Sequence, residues 1–259
     1  MTGPFLALLG VTGLVIGSFL NVVVWRVPRG ESLVRPGSAC PKCGHAIRPR
    51  DNVPVLSWLF LRGRCRDCAA PISVRYPLVE IGTAIAFVLV GRAVGVRWEL
   101  GAALCLTAIG ISLMLIDLQH KRLPDPIVLA GYLVMAAFVL APGLLMDRSG
   151  DVVRALISGA ALFALYFLML IVYPGGMGFG DVKLAGLLGL VLGWVGYGAL
   201  AVGAFGAFLL GGAFTIGLLV TGRARRGTAI PFGPWMIAGA VVGVAAGEPL
   251  WSAYLSVLG

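Results

Sequence analysis

Long apolar stretches make up most of this sequence, and they restrict the fold more than any other feature. A helix needs about 20 apolar residues to cross the hydrocarbon core of a membrane. Only 12% of the residues are charged, whereas soluble domains have about 25%. The sequence therefore predicts an all-α polytopic membrane protein with about eight transmembrane helices, the sixth of them short for a full crossing. The predicted helices cover residues 4–24, 77–94, 99–117, 124–143, 151–172, 181–195, 197–221 and 230–257.

The basic residues are distributed unevenly over the segments that connect these helices. Four of the 20 Lys and Arg residues lie on one side of the predicted membrane, and sixteen lie on the other. Because loops rich in Lys and Arg face the cytoplasm, we predict a multi-pass membrane protein with its N-terminus outside. The orientation in the lipid bilayer thus accounts for the net charge of +9, and no nucleic-acid partner is expected. The smaller group is Arg92, Arg97, Arg148 and Arg154, and the larger includes Lys121, Arg122, Lys183, Arg223, Arg225 and Arg226.

Residues 25–76, here called the polar segment, contain two C-x-x-C pairs. The pairs are Cys40 with Cys43 and Cys65 with Cys68, and 21 residues separate them. Four thiolates provide the closed tetrahedral shell that structural Zn²⁺ prefers. The segment has too few apolar residues to form a core of its own, so we expect a small four-cysteine zinc domain that the metal holds together. A redox role and disulfide bonds are the alternatives, and the reducing cytoplasm disfavours disulfides.

The predicted helices and the polar segment together divide the chain into three parts. Residues 1–24 form the first transmembrane helix, residues 25–76 the cytoplasmic zinc domain, and residues 77–259 a membrane core of seven helices. Cys105 is the fifth cysteine and stands alone within an apolar stretch, so we expect it to pack in the protein core.

Two aspartates, Asp117 and Asp181, are predicted to lie at the cytoplasmic edge of the membrane on different helices. Ionisable residues at membrane depth are costly and usually have a function. Two neighbouring carboxyl groups retain one proton between them, so one can donate a proton while the other accepts one from water. This pattern favours amide hydrolysis. The local alternatives are a helix-end acid that pairs with Lys121 or Arg122, and an N-terminal cap of the sixth helix.

Other residues near the two aspartates are candidates for a supporting role. Gly178 and Gly180 come just before Asp181, and because they lack side chains they would let a substrate backbone approach it. Lys183 follows in the same motif. Asp125 comes after Pro124 at a predicted helix start, where the helix dipole favours an acid. Glu80, near the cytoplasmic end of the second span, is either a third site residue or a hydrogen-bonded acid at a helix start.

Several segments resemble known enzymes, and they follow in the same order along the chain. The segment Gly178–Lys183, GFGDVK, resembles the GxGD motif of membrane aspartic proteases, and Asp117 with Leu123-Pro124-Asp125 resembles their other aspartate segment. The segment Gly17–Arg29, the cysteine pairs and Ile230–Pro234 resemble the prepilin peptidases, also called type IV leader peptidases.

This resemblance implies a specific reaction. Such enzymes cleave the basic leader of type IV prepilins or pseudopilins after a glycine, on the cytoplasmic side of the inner membrane. By resemblance, Asp117 and Asp181 are the catalytic pair and the four cysteines bind zinc. The resemblance alone implies N-methylation of the new N-terminus with S-adenosylmethionine. A transporter with proton-carrying aspartates and a zinc-containing scaffold without chemistry are the competing hypotheses, and no motif assigns an oligomeric state.

Overall fold

A computed structural model describes residues 2–173, 175–223 and 230–258, and it confirms the all-α prediction. Within these ranges the regular structure is helical, apart from two isolated β-bridges in the polar segment. Arg225 and Arg226, which were assigned to the cytoplasmic side, lie outside the described residues.

The helices follow one another with short connections, except across the polar segment. Two 3₁₀ turns, Val27–Arg29 and Pro49–Asp51, lie in that segment. A π-helical turn, Ala136–Leu140, joins α5 to α6. The α-helices of the described chain are α1 Gly3–Arg26, α2 Leu56–Phe60, α3 Arg75–Val94, α4 Glu99–His120, α5 Asp125–Met135, α6 Ala141–Leu145, α7 Ser149–Val172, α8 Phe179–Val195, α9 Tyr197–Val220 and α10 Gly233–Leu258.

The predicted spans agree closely with these helices. Seven described helical stretches are long and apolar enough to cross a membrane, with α5 and α6 forming one continuous stretch. The remaining predicted span is α8, which has 17 residues and is short, as expected. Most boundaries differ by one to three residues, and one of these differences concerns the site: α4 continues past Asp117 to His120 and ends where Lys121 adopts a left-handed φ of 51°. Asp117 therefore lies in the last turn of α4.

The chain divides into two compact units, of which the first is Met1–Ser112. In this unit α1 packs closely on α3, because a Cβ atom at Gly13 or Gly17 would lie 2.6 Å or 2.7 Å from the backbone of α3. Small residues commonly allow such close approach between membrane helices. The Asn21 side chain also donates a hydrogen bond to the Tyr76 carbonyl at 3.2 Å. These contacts place the polar segment between two helices that pack on each other.

The second unit, Leu113–Gly259, surrounds α8. This helix contacts α5, α7, α9 and α10, and the side chains of Val182 and Leu184 are almost completely buried. Glycines allow this packing, since a Cβ atom at Gly189 would lie 2.6 Å from the Ser158 carbonyl oxygen of α7. Because α8 packs on four other helices, its first turn is held in place within the second unit.

The expectation that Cys105 packs in the core was wrong. Cys105 is exposed on α4, whereas Ala102, one turn earlier on the same helix, is buried. In a membrane-spanning helix, lipid solvates the face that the protein does not cover, so an apolar residue needs no protein neighbour. The apolar pattern of a span therefore does not indicate which of its faces is buried.

Candidate active site and metal centre

Asp181 lies in the first turn of α8, where the motif Gly178–Lys183 forms the helix start. Gly178 is the last non-helical residue, with φ −90° and ψ 158°, and its N–H donates a hydrogen bond to the Asp181 Oδ2 atom at 3.0 Å. An acid at this position is favoured by the positive end of the helix dipole. The predicted capping role is thus present, and it uses one oxygen of the carboxylate.

Asp117 reaches the start of a different helix. Its side chain is 4% exposed, and its Oδ2 atom accepts a hydrogen bond from the N–H of Gly233, the first residue of α10, at 3.0 Å. Among the described residues Asp117 forms no ion pair with Lys121 or Arg122, so the helix-end alternative is not what the structure shows. The two aspartates therefore share one feature: one carboxylate oxygen is bound by a backbone N–H at a helix N-terminus.

Both carboxylates belong to the second unit. Leu123 lies between the two helix starts, because Cβ atoms placed on Gly180 and Gly233 would lie 3.0 Å and 3.2 Å from Leu123 side-chain atoms. In the described part of the chain, the Oδ1 atoms of the two aspartates form no hydrogen bond. Each carboxylate thus keeps one oxygen available to water or a substrate.

The other residues of the motif hold α8 against α5. Lys183 forms an ion pair with Asp125 at 2.7 Å, and its ammonium group lies 4.8 Å from the centroid of the Phe179 ring. The Tyr132 hydroxyl donates a hydrogen bond to the Lys183 carbonyl at 2.8 Å. Because exposed ion pairs contribute only about 0.2–1 kcal/mol, the pair of Lys183 with Asp125 orients the two helix starts more than it stabilises the fold.

Glu80 has a different set of contacts. It is 7% exposed, and its Oε2 atom accepts a hydrogen bond from the Val55 N–H at 2.7 Å. Val55 has a φ of 60°, which is unusual for a β-branched residue, so this contact secures a strained turn of the polar segment. Glu80 thus has its hydrogen bond within the first unit, while the two aspartates belong to the second.

The four predicted metal ligands come together in the polar segment. The sulfur atoms of Cys40, Cys43, Cys65 and Cys68 all lie within 4.8 Å of one another, and the thiols are free. The Cys40 and Cys68 sulfur atoms are 3.8 Å apart, and a tetrahedral site with Zn–S bonds of about 2.3 Å requires sulfur atoms about 3.8 Å apart. The residues present therefore fit a four-coordinate metal, and no free position remains for a reactant.

The two cysteine pairs have the same backbone structure, which the spacing alone did not reveal. In the first, Cys40 N–H donates to the His45 carbonyl at 2.9 Å. In the second, Cys65 N–H donates to the Ala70 carbonyl at 2.8 Å. An isolated β-bridge accompanies each, Ala39 with Ala46 and Arg64 with Pro71. The polar segment thus contains two copies of one metal-binding turn.

These turns orient backbone N–H groups toward the sulfur atoms. The N–H groups of Cys43 and Lys42 lower the pKa of the Cys40 thiol to about 6. The pKa of Cys43 is raised to about 12, although the His45 N–H lowers it, because burial and the neighbouring thiols outweigh that donor. Four thiols this close resist carrying several negative charges, and a bound cation removes that repulsion.

Sequence reasoning missed Gly233 as a partner of Asp117. The two residues are 116 positions apart, so no local pattern links them. A signal was present, since Pro234 in the first turn marks Phe232-Gly233-Pro234 as a helix start with unpaired N–H groups. An intramembrane acid and a helix start of this kind form a pair that can be searched for in other sequences.

Comparisons with known proteins agree with this geometry. The Bacterial Peptidase A24 N-terminal domain matches residues 11–94, and the Type IV leader peptidase family matches residues 104–216. The Prepilin leader peptidase/N-methyltransferase of Pseudomonas putida is 36% identical over 98% of this chain and 95% of its own length. The protein of the same name from Myxococcus xanthus is 44% identical over 74% of this chain and 58% of its own length. No solved structure matches the chain. With a matching family model over residues 104–216 and relatives that align along nearly its whole length, the chain belongs to the type IV leader peptidase family.

Proposed function

We propose that this protein is a membrane aspartic endopeptidase for type IV prepilins or pseudopilins. It removes the basic leader after a glycine at the cytoplasmic face of the inner membrane, and it then methylates the new N-terminus. The main support is a hydrogen-bonding pattern that Asp117 and Asp181 share, in which each carboxylate has one oxygen bound by a backbone N–H and one oxygen available. Relatives named prepilin leader peptidase/N-methyltransferase support the same reaction.

The available oxygens provide the acid and the base for cleavage. The ionised carboxylate accepts a proton from water, and the water oxygen forms a bond to the scissile carbonyl carbon. The protonated carboxyl group donates its proton to the carbonyl oxygen. The tetrahedral intermediate then collapses, the C–N bond breaks and the leaving nitrogen takes a proton. The pair titrates as a unit, so neither role belongs to one particular aspartate.

The glycines around the site provide a matched pair of variants. A Cβ atom at Gly233 would lie 2.8 Å from Asp117 Oδ2, whereas at Gly178 the nearest atom, Asp181 Oδ2, is 3.7 Å away. Gly233→Ala is therefore expected to displace the Asp117 carboxylate and slow leader cleavage about 100-fold, because a displacement of about 1 Å can have that effect. Gly178→Ala is expected to stay within about threefold of wild type. Steady-state cleavage of a prepilin substrate measures both, and equal losses in the two variants would contradict this account of Gly233.

The methyl donor requires a second site, and the first unit contains a suitable cavity of about 540 Å³. Sites for small ligands typically occupy about 300–1,000 Å³. Arg26 would hold a carboxylate, Ser38 and Asn52 would bind polar groups, and the Phe19 ring offers a flat surface for adenine. Bound there, S-adenosylmethionine supplies an electrophilic methyl group for the new α-amino group.

A bulky residue in this cavity is expected to block the donor without affecting cleavage. Val22 lines the cavity, whereas Val11 is on the same helix and exposed outside it. Val22→Trp is expected to weaken binding of labelled S-adenosylmethionine at least about tenfold in equilibrium dialysis, because the indole occupies the ligand volume. Val11→Trp is the control and is expected to bind like wild type. Unchanged binding by Val22→Trp would exclude this cavity as the donor site.

We assign the four-cysteine site to structural zinc, since four sulfur ligands in tetrahedral positions suit that ion. The Cys40, Cys43, Cys65 and Cys68 side chains would hold the ion and connect the two turns of the polar segment. The metal therefore contributes folding energy and no step of the reaction.

The whole proposal is tested by the mass of a processed substrate. The purified chain in lipid vesicles is mixed with a prepilin substrate, with and without S-adenosylmethionine. We expect loss of the leader after glycine in both samples, and the added mass of one methyl group only with the donor. An intact substrate in the presence of a folded, metal-loaded chain would contradict the peptidase assignment and favour a transporter or a scaffold.

A further inference from the structure

Tyr166 is a buried residue of α7 that none of the roles above includes. Its side chain is 2% exposed. The ring packs against Phe208 at a centroid distance of 5.6 Å and against Phe232 at 6.3 Å. Phe208 and Phe232 also contact each other at 5.4 Å. This three-ring cluster fixes the direction of the Tyr166 hydroxyl.

The hydroxyl itself has no hydrogen-bond partner among the described residues. Tyr132, a partly buried tyrosine next to α8, donates its hydroxyl to the Lys183 carbonyl at 2.8 Å. Buried tyrosine hydroxyls usually have such a partner. The Tyr166 hydroxyl is therefore a rigid donor that remains open to a partner outside the chain.

The position of Tyr166 indicates which partner this is. Phe232, on which its ring packs, immediately precedes Gly233, the donor to Asp117. The next residue, Phe167, contacts the ring of Phe179, the first residue of α8, at 6.4 Å. The Tyr166 ring thus packs beside the start of α10, where Asp117 is bound, and α7 contacts the start of α8 one residue further along. A carbonyl group bound at Asp117 is therefore a candidate partner for this donor.

We propose that Tyr166 is a further catalytic residue, whose hydroxyl donates a hydrogen bond to the oxygen of the scissile carbonyl. Negative charge develops on this oxygen when water adds to the carbonyl carbon, and a fixed donor stabilises that charge without reorganising. The proton stays on the tyrosine, so the acid–base steps of the two aspartates are unchanged. This inference rests on the proposed peptidase function and adds a third group to the same site.

The rival explanation is a purely structural role. A small cavity of about 10 Å³ is lined by Tyr166, Ala185 and Met236, among others, and it has room for about one water molecule. In that case the hydroxyl binds a trapped water, and its removal changes stability but not catalysis.

Tyr166→Phe separates the two roles, because it removes only the hydroxyl and keeps the ring cluster. We expect kcat for prepilin cleavage to fall about 100-fold, as for the loss of one donor to a developing oxyanion, with KM and the unfolding temperature unchanged. Tyr254→Phe is the control. Tyr254 is 54% exposed near the C-terminal end of α10, so we expect both kcat and the unfolding temperature to stay close to wild type.

Two results would overturn the proposal for Tyr166. One is a Tyr166→Phe variant that cleaves as fast as wild type. The other is a parallel loss of unfolding temperature and kcat in that variant, which is the pattern of a structural residue. The wild-type chain is assayed alongside, so a failure of the peptidase function itself appears as no cleavage by any form.

Discussion

Asp181→Asn is expected to slow leader cleavage at least about 1,000-fold, because an amide can neither accept the proton of water nor donate one to a carbonyl oxygen. Asp117→Asn is expected to have an effect of the same size. An asparagine oxygen can still accept the hydrogen bond from Gly178 or Gly233, so both variants should keep the fold. Single-turnover cleavage of a prepilin substrate measures the loss, and the unfolding temperature of each variant confirms that it is folded.

Asp147→Asn is the matched control for these variants. Asp147 lies between α6 and α7 with a left-handed φ of 56°, a conformation that asparagine adopts readily. The change removes one carboxylate from the same chain and should leave the cleavage rate unaltered. If Asp181→Asn or Asp117→Asn cleaved at the rate of this control, the residue concerned would have no part in catalysis.

Loss of the metal is the second change with a large expected effect. Cys65→Ser should remove the bound zinc and leave residues 30–74 open to protease, because structural zinc sites contribute about 10–16 kcal/mol of apparent binding energy. Metal analysis should find one zinc per wild-type chain and much less in the variant. Cys105→Ser is the control, since Cys105 is exposed on α4 and outside the cluster.

The same variant separates the two activities. The aspartates belong to the second unit and the four-cysteine cluster to the first. The cavity proposed for the methyl donor is lined partly by residues of the polar segment, such as Ser38 and Asn52, which we expect the metal to hold in place. We therefore expect Cys65→Ser to lose S-adenosylmethionine binding to a greater extent than leader cleavage. Full zinc content and unchanged protease resistance in Cys65→Ser would contradict the structural role of the cluster.

The sequence was most informative where the chemistry depends on local spacing. The C-x-x-C pairs and the motif around Asp181 are local patterns, and the structure shows the cysteines together and Asp181 at a helix start. The partner of Asp117 could not be predicted, because Gly233 reaches it only through the packing of α10. The role proposed for Tyr166 could not be predicted for a related reason. No sequence pattern shows whether the hydroxyl of a tyrosine in an apolar helix has a hydrogen-bond partner.

Membrane solvation limits what periodicity can predict. Cys105 and Ala102 lie in the same apolar run, yet one is exposed and the other buried. Lipid and protein interior are both apolar, so the sequence of a span carries little information about which of its faces packs on a neighbour. Glycines are the better guide here, because Gly13, Gly17 and Gly189 all mark close helix contacts.

The double variant Asp117→Asn/Asp181→Asn tests most directly whether the two aspartates act as one acid–base pair. Its single-turnover cleavage rate is compared with the rates of the two single variants in the same lipid vesicles. Residues that act as a unit are strongly non-additive, so we predict a double-variant rate within about threefold of the slower single variant. A double-variant loss equal to the product of the two single losses would show that Asp117 and Asp181 act independently, and it would contradict a shared catalytic centre.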